Sequence, residues 1–433
     1  MLLTATLLLS ALPAEATTAT DTDLEQPAGT ETAPEESPTP EATATESPTP
    51  APTATPMPPA EDITMACALN GYVGDTHPTK MRDGAYKTYW ESAKIEGVHG
   101  LTITAPKGKT IGAVLIRWKS WPLAVVAQKK VGDTWVNVAA CGADFMAQYL
   151  EIPGEQEIRI ISSEDSGRTQ LQISEITVMT PGELPEDFQV WQKPPEKVDM
   201  LLIATHPDDE ILWFGGLLPT YAGERGLDVL VACGAHNSYY RRLELCDCLW
   251  TCGVRIYPHF LSYGDVTFSD PMQVYEAWGG RKKVRGDLVK LYRRYRPDVV
   301  VTQAVGGESG HTAHRALSQA ARDAVELAAL ETEYPETVEL YGVWDIPKVY
   351  VHLWEENQIT MDWHVPLERF GGLDGMDVAA MAFDKHVSQR DKSQYSIHDG
   401  GDTDCSLFGL FHTTVGADTE KNDLFEHIAP RDE

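Results

Sequence analysis

The sequence predicts an α/β fold: a Rossmann-like, mostly parallel sheet with helices on both faces, preceded by an antiparallel β-sandwich. Two apolar runs, Met200 to Ala204 and Pro297 to Gln303, predict buried strands, and each leads into a polar turn and then a helical pattern. Residues 62–180 instead carry short β-patterned runs separated by Gly, Pro or Asp, which is typical of a sandwich. At 433 residues the chain is long enough for two domains, each with its own core.

The composition argues against a nucleic-acid partner. The formal net charge is −30 at pH 7, whereas binding to nucleic-acid phosphates needs a basic surface. Part of the acidic excess lies in one tail, because no Lys or Arg precedes Lys80. Solubility alone is the simpler explanation for so acidic a chain.

Residues 1–61 divide into a predicted signal peptide and a predicted spacer. Residues 2–12 form a short apolar run and Ala14-Glu-Ala16 follows as a cleavage signal, so residues 1–16 are predicted to be a secretory signal peptide. The run is too short for a stable membrane span. Residues 17–61, rich in Thr, Pro, Ala and Glu, are predicted to be a disordered spacer. We therefore expect a secreted, extracellular protein, with the spacer either associating it with a cell wall or forming a dispensable tail.

Residues 62–180, the predicted β-sandwich, resemble a known extracellular module. The stretch Asp83 to Trp90 and the closing run Ile173 to Val178 are similar to parts of discoidin-like, coagulation-factor C-type modules. That resemblance implies a carbohydrate-binding module with sugar-binding loops at one end. Four tryptophans are candidates for a stacking surface, although we expect at least half of them in the core. They are Trp90, Trp118, Trp121 and Trp135.

Residues 181–197 contain four prolines and several Glu, so they are predicted to be an interdomain linker, with the α/β domain spanning residues 198–433. The first strand of that domain is followed at once by His206, Asp208, Asp209 and Glu210 around Pro207. A helical apolar pattern then continues to position 218. The polar cluster is therefore predicted at the carboxyl end of a strand, where ligands bind in open α/β sheets.

A second cluster follows the later strand, in the stretch Gly306 to Arg315. His311 and His314 are three positions apart at the start of a predicted helix, so they can share one face. Imidazole and carboxylate groups are good Zn²⁺ ligands, and one strand-end cluster alone offers too few of them. A single His after a strand is usually a capping or surface residue, and acids at a helix start usually complement the helix dipole. Two such clusters, each after a buried strand, favour a functional site.

The sequence His-Pro-Asp-Asp-Glu after an apolar strand, with a later Gly-His-x-x-His, resembles the PIG-L / LmbE-like N-acetylglucosaminyl deacetylases. The resemblance implies that His206, Asp209 and His314 bind zinc. It further implies that Asp208 is the general base and that His311 assists the transition state.

The resemblance also implies two substrate-binding residues, and the sequence departs from the family pattern at two positions. Arg241 and Glu244 are similar to the family's Arg-x-x-Glu, which implies that Arg241 holds the sugar; a helix salt bridge is the alternative. Asp265 stands where members often place a substrate-binding Asp. Ala313 replaces the Asp that tunes the neighbouring His, and Ser309 replaces an aromatic residue. These departures affect the tuning of the site and its substrate choice, and they leave the metal ligands intact.

The resulting hypothesis is a secreted zinc-dependent deacetylase that hydrolyses the N-acetyl group of an N-acetylglucosamine-type sugar or extracellular glycan. Fe²⁺ is an alternative metal in vivo, since a site with two His and one Asp also suits it. One alternative is a zinc hydrolase of the same fold acting on another amide or glycoconjugate. A second is an inactive glycan-binding protein. The sequence leaves the oligomeric state open.

The seven cysteines do not have the spacing of a structural zinc site. Cys246, Cys248 and Cys252 lie on a predicted helix, where burial as small apolar residues is expected. The sequence leaves open whether Cys67 and Cys141 pair.

Overall fold

The N-terminal region of the described chain consists of two antiparallel sheets. The computed structural model describes residues 57–71, 77–95, 98–163, 170–391 and 395–429. The strands of this region are β1 (Ala68–Asn70), β2 (Trp90–Glu91), β3 (Lys94–Ile95), β4 (Val98–Thr104), β5 (Ile111–Trp118), β6 (Val125–Val131), β7 (Thr134–Cys141), β8 (Ala147–Glu155), β9 (Glu157–Ser162) and β10 (Gln172–Met179). One sheet has the order β1-β4-β9-β6-β7 with β3 beside β4, and the other has the order β2-β10-β5-β8. The predicted strands are therefore present and antiparallel, while the sandwich arrangement stays a prediction.

The four tryptophans of this region divide between core and surface. Trp90 and Trp118 are fully buried, which confirms that at least half of them pack in the core. Trp121 is 51% exposed, and the guanidinium of Arg242 lies 4.6 Å from its ring centroid. Trp135 is partly buried under the guanidinium of Arg159. The carbohydrate-binding role of the module stays a prediction.

A seven-stranded mixed sheet forms the rest of the described chain. Its order is β13-β12-β11-β14-β15-β17-β16. The strands are β11 (Met200–Ala204), β12 (Val229–Ala235), β13 (His259–Tyr263), β14 (Val299–Thr302), β15 (Lys348–His352), β16 (Gln358–Thr360) and β17 (Leu407–Thr413). The first five strands in this order are parallel, and β17 runs antiparallel to both of its neighbours, β15 and β16. Apolar residues fill β11 and β14, as expected for strands covered on both faces.

Helices cover both faces of this sheet, because successive side chains of a strand point to opposite sides. The helices are α1 (Asp209–Leu212), α2 (Tyr239–Thr251), α3 (Pro271–Ala277), α4 (Arg281–Tyr295), α5 (Thr312–Ala328), α6 (Pro335–Tyr341) and α7 (Gly375–Phe383). Leu201 and Ile203 of β11 share a buried cluster with residues of α3, α4 and α5. Met200 and Leu202 share the other buried cluster with residues of α1 and α2. The α/β class is confirmed, and the Rossmann-like description stays a prediction.

The helix predicted after the first motif is interrupted. α1 ends at Leu212, and a separate π-helical segment begins at Pro219. Between them Gly215 has a φ of +52°, and a Cβ at this position would lie 2.6 Å from the Sγ of Cys405. A Cβ at Gly216 would lie 2.9 Å from the side chain of Trp363. The helical pattern therefore breaks where the C-terminal region packs closely against two glycines.

The segment predicted as a linker, residues 181–197, packs against the core. Trp191 is buried, and its ring meets that of Tyr257 edge to face at 5.7 Å. Tyr257 in turn joins the two regions, since its hydroxyl accepts the Met146 N–H at 2.8 Å and its ring lies 4.8 Å from that of Phe145. The described residues accordingly belong to one compact unit, Pro56–Glu433. The predicted domain boundaries stay predictions.

The predicted signal peptide, residues 1–16, and residues 17–56 of the predicted spacer lie outside the described residues. Spacer residues within the described range contact the end of the N-terminal β region and the segment after it, since the Glu61 N–H donates to Thr180 Oγ1 and the Ala60 N–H to the Glu183 carbonyl, both at 2.8 Å. Within the described part of the chain, every helix is too short or too polar to cross a membrane.

All seven cysteines are free thiols, so Cys67 and Cys141 are not paired. Cys246 and Cys248 are buried on α2 and Cys252 is buried directly after it, which confirms the predicted burial of these three. Burial raises the pKa of the Cys67 thiol to about 11. These thiols therefore act as small buried groups of the fold.

Candidate metal centre and active site

The two predicted motifs meet at the carboxyl edge of the parallel strands. β11 and β14 are direct parallel neighbours, with Ile203 paired to Thr302 near the end of both. The first motif follows β11, and α5 with the second motif follows β14. Neighbouring parallel strands end at the same edge of a sheet. His206 and His314 therefore come together although 108 positions separate them.

Three predicted metal ligands form a small triangle of donor atoms. Asp209 Oδ2 lies 3.2 Å from His206 Nδ1 and 3.1 Å from His314 Nε2. The two ring nitrogens are themselves 3.1 Å apart. All three side chains are buried. Ligand atoms bound to one zinc at about 2.0–2.2 Å are separated by little more than 3 Å, so the donor set and its spacing fit a metal ion.

His311 lies next to this triangle of donor atoms. The donor atoms of His206, His311 and His314 all lie within 4.8 Å of one another. The His311 ring lies 5.0 Å from that of His206, centroid to centroid, and its Nδ1 is buried without a partner among the described residues. The neighbouring Ala313, where the resemblance implies an Asp, has no polar group to offer this ring. Burial, and then the neighbouring imidazoles, lower the pKa of His311 to about 4.

A buried carboxylate orients His314 from behind. Glu308 Oε2 lies 3.2 Å from His314 Nδ1, and Glu308 Oε1 lies 2.9 Å from His352 Nδ1. The Ala304 N–H also donates to Glu308 Oε1 at 2.8 Å. Burial opposes ionisation of Glu308, but hydrogen bonds and charge from His314 and His352 lower its pKa to about 2. A carboxylate behind a ligand histidine is a common device for fixing its tautomer and ring orientation.

Asp209 is held in the same way by an indole. Trp213 Nε1 donates to Asp209 Oδ1 at 2.7 Å, which leaves Oδ2 facing the two histidines. Trp213 is one helical turn after Asp209, so this contact follows from sequence spacing once α1 is known. Burial opposes ionisation of Asp209, but His314 and His206 hold its pKa well below the ordinary value.

Asp208 stands beside the triangle in an unusual backbone conformation. Its φ is +125°, a value that residues with a Cβ rarely adopt. Its Oδ1 lies 3.1 Å from Nη2 of Arg241. Burial raises the pKa of Asp208 to about 7, while the charge of Arg241 opposes this shift. Strained backbone of this kind occurs where the surroundings fix a residue for a purpose, as at active sites.

The predicted substrate-binding residues reach the same place. Arg241 contacts Asp208, donates from Nη2 to the Pro207 carbonyl at 2.5 Å, and lies 3.7 Å from Asp265 through Nη1. Asp265 Oδ1 lies 3.4 Å from His206 Nε2. The neighbouring His206 ring lowers the pKa of Asp265, against the effect of burial. Asp265 thus contacts a predicted ligand while its side chain stays 30% exposed.

The structure brings all the predicted site residues into one place: His206, Asp208, Asp209, Arg241, Asp265, His311 and His314. Three partners were not predicted, namely Trp213, Glu308 and His352. Glu308 lies inside the second motif and Trp213 is four positions after Asp209, so sequence spacing held a signal for both. His352 follows neither motif, and no sequence signal pointed to it.

Comparison with known proteins identifies a family segment. Residues 201–325 match the family model described as PIG-L, GlcNAc-PI de-N-acetylase, so the chain contains a PIG-L family domain there. The 1D-myo-inositol 2-acetamido-2-deoxy-alpha-D-glucopyranoside deacetylase 1 of Catenulispora acidiphila is 28% identical over 179 residues, which cover 35% of this chain and 54% of that protein. The deacetylase 2 of the same name from Saccharopolyspora erythraea is 30% identical over 178 residues, covering 35% of this chain and 63% of that protein. The chain thus spans less than two thirds of these relatives.

A solved structure, N,N'-diacetylchitobiose deacetylase from Pyrococcus horikoshii, is 20% identical and covers 45% of this chain and 72% of its own, with a TM-score of 0.35. The discoidin-like resemblance of residues 62–180 stays a prediction.

Proposed function

We propose that this protein is a secreted, zinc-dependent deacetylase that hydrolyses the N-acetyl group of an N-acetylglucosamine-type sugar or glycan. The observation that carries the proposal is the buried donor triangle with Asp208 beside it. The names of the relatives support the same reaction, since both are deacetylases of a 2-acetamido-2-deoxy sugar.

His206, Asp209 and His314 would hold the metal. When bound, zinc polarises the amide carbonyl and lowers the pKa of a coordinated water. The donor set of two imidazoles and one carboxylate also suits Fe²⁺, which is the alternative metal in cells. Trp213 and Glu308 contribute by fixing the orientation of Asp209 and His314.

Asp208 supplies the proton transfers. Its carboxylate takes a proton from the attacking water, and the new C–O bond converts the amide carbon to a tetrahedral centre. The proton then passes from Asp208 to the nitrogen, the C–N bond breaks, and acetate and a free amine result. Arg241 holds the carboxylate of Asp208 by a contact of 3.1 Å, which fixes its direction during both transfers. His311, whose ring borders the donor triangle, would stabilise the oxyanion through a ring N–H.

Arg241 and Asp265 would orient the sugar beside Asp208 and His206. Their side chains lie 3.7 Å apart beside Asp208 and His206, so a sugar hydroxyl between them would meet both a donor and an acceptor. Trp121 offers an exposed aromatic face on the β region, beside Arg242. We propose that a longer glycan also contacts this region, in line with the carbohydrate-binding role expected for residues 62–180.

One observation favours a second candidate, a zinc hydrolase acting on another amide or glycoconjugate. His311 Nδ1 is buried without a partner among the described residues, because Ala313 cannot supply the carboxylate of the family pattern. His311, the group proposed to stabilise the oxyanion, therefore lacks the carboxylate partner of the family pattern. We propose that this difference suits a different acyl group or leaving amine.

Acetate release decides between these functions. Purified protein is assayed with N-acetylglucosamine, its oligomers and unrelated acetamides, and its metal content is measured alongside. Acetate released from the sugars by wild type and not by Asp208→Asn supports the proposal. Metal-loaded protein that releases acetate only from other amides selects the second candidate, and protein that binds glycan without metal or turnover selects an inactive binding protein.

Secretion is tested separately from activity. The full chain is expressed in its host, and the protein recovered outside the cell is sequenced from its N-terminus. A mature N-terminus near residue 17 supports export through the predicted signal peptide. Protein retained inside the cell with residues 1–16 intact contradicts it.

A further inference from the structure

A buried glutamate–histidine pair lies directly beneath the turn that carries Asp208. Glu210 and His386 are both fully buried. Glu210 Oε1 lies 2.7 Å from His386 Nε2, and Glu210 Oε2 accepts the Asp208 N–H at 2.8 Å. A single carboxylate therefore links His386 to the backbone of Asp208.

The Asp208 backbone needs such support. With φ at +125° and ψ at −26°, it occupies a conformation that persists only where the surrounding structure fixes it. Glu210 fixes the amide and Arg241 fixes the carboxylate, from two sides. Loss of either contact is expected to let the turn relax and the carboxylate change direction.

His386 comes from a segment far along the chain, just after α7, and a second contact docks the same segment. The N–H and Oγ of Ser388 bind Glu244 at 2.9 and 2.6 Å. Glu244 lies on α2, whereas Glu210 lies on α1 next to the predicted ligand Asp209. The segment therefore makes two comparable contacts. The contact of His386 leads to Asp208 through Glu210, whereas the contact of Ser388 joins the segment to Glu244 on α2.

We infer that His386 is a positioning residue for Asp208: its hydrogen bond orients Glu210, and Glu210 holds the Asp208 amide so that the carboxylate faces the reacting water. This inference rests on the proposed function, because the position of Asp208 matters to catalysis only if Asp208 is the general base. Burial disfavours a charge on His386, but the charge and hydrogen bond of Glu210 raise its pKa. The hydrogen bond between the two buried side chains fixes their relative position.

A metal ion at this place is the competing interpretation. Ligand atoms of Glu210, Cys248 and His386 all lie within 4.8 Å of one another. Both oxygens of Glu210 already accept hydrogen bonds, which satisfies the buried carboxylate without a cation. The positioning role is therefore favoured, and metal content distinguishes the two.

The test compares three variants of the full chain. His386→Leu removes the donor to Glu210, His386→Gln offers an amide donor in its place, and Ser388→Ala removes the other contact of the segment. We expect His386→Leu to lower kcat by about 10- to 100-fold with KM and metal content unchanged, the scale of a small misplacement of a catalytic group. We expect His386→Gln to recover most of that loss and Ser388→Ala to keep the wild-type kcat. An equal kcat loss in Ser388→Ala, or no recovery in His386→Gln, would reduce His386 to a structural contact.

A second measurement does not depend on activity. Amide hydrogen exchange of the segment around residues 205–212 should accelerate in His386→Leu, since the Asp208 N–H loses an oriented acceptor, and should stay unchanged in Ser388→Ala. Unchanged exchange in His386→Leu overturns the inference even if the wild type has no deacetylase activity. If the wild type has no deacetylase activity but exchange still accelerates in His386→Leu, only the proposed function is contradicted. If His386→Leu does not fold, His386→Asn, whose amide is too short to reach Glu210, takes its place. A second equivalent of metal in wild type that His386→Gln lacks would replace the positioning role by a second metal site.

Discussion

Removing the hydrogen bond from Trp213 to Asp209 should lower the affinity for metal without unfolding the protein. In Trp213→Phe the indole N–H that donates to Asp209 Oδ1 at 2.7 Å disappears, while an aromatic ring still fills most of the buried space. A hydrogen bond to a charged group contributes about 1.5–3 kcal/mol, and losing it leaves a buried carboxylate oxygen without this donor. About 1.4 kcal/mol is a tenfold change in a dissociation constant, so zinc affinity should fall by about 10- to 100-fold.

Zinc affinity is measured by competition against a chromophoric chelator, and folding by a thermal melt of the metal-free protein. Trp363→Phe is the matched control, since Trp363 is also buried and its indole N–H donates to the Cys405 carbonyl at 3.0 Å. Both variants lose a similar volume and one buried donor, so both should melt at similar, lower temperatures. Wild-type zinc affinity in Trp213→Phe, or an equal loss in Trp363→Phe, refutes the reasoning.

Three further predictions concern chemistry, loop geometry and domain contacts. Asp208→Asn should keep its metal and lose turnover by about 100-fold or more, the scale of general base catalysis; equal metal loss in Asp208→Asn and Asp209→Asn would overturn the assigned roles. Gly307→Ala should lower kcat, because Gly307 has a φ of +68° and a Cβ there would lie 2.5 Å from the His311 carbonyl oxygen, whereas Gly306→Ala meets nothing within 4 Å and should retain wild-type kcat. A chain starting near Lys197 should keep the metal ligands but melt at a lower temperature, because it exposes aromatic rings that pack on residues 62–196; an unchanged melt would contradict this.

The parts of the site that were predicted lie within short stretches of sequence. His206 and Asp209 follow one apolar strand, and His311 and His314 follow another. Buried parallel strands can be predicted because they are continuous apolar runs, and their carboxyl ends share one edge. Local pattern and one topological rule were therefore enough to bring the two motifs together.

The parts that were not predicted depend on which distant groups become buried together. The chain has 13 histidines, and nothing near His352 or His386 in the sequence marks them as partners of buried carboxylates. The break after α1 is of the same kind. The apolar spacing predicts one helix, but the close approach of Trp363 to Gly216 turns the chain instead. Tertiary packing overrides local spacing in such places.

Buried carboxylates extend the functional unit beyond the segment that matches the family model. Residues 201–325 include three buried glutamates whose partners lie after residue 325: Glu210 with His386, Glu244 with Ser388, and Glu308 with His352. Leaving a buried acceptor without its hydrogen-bond donor costs about 1–3 kcal/mol, a noticeable part of the stability of a domain. The matched segment therefore depends on the C-terminal region to satisfy its own acidic side chains. Since Glu210 and Glu308 also contact Asp208 and His314, the same region helps to determine the geometry of the proposed catalytic centre.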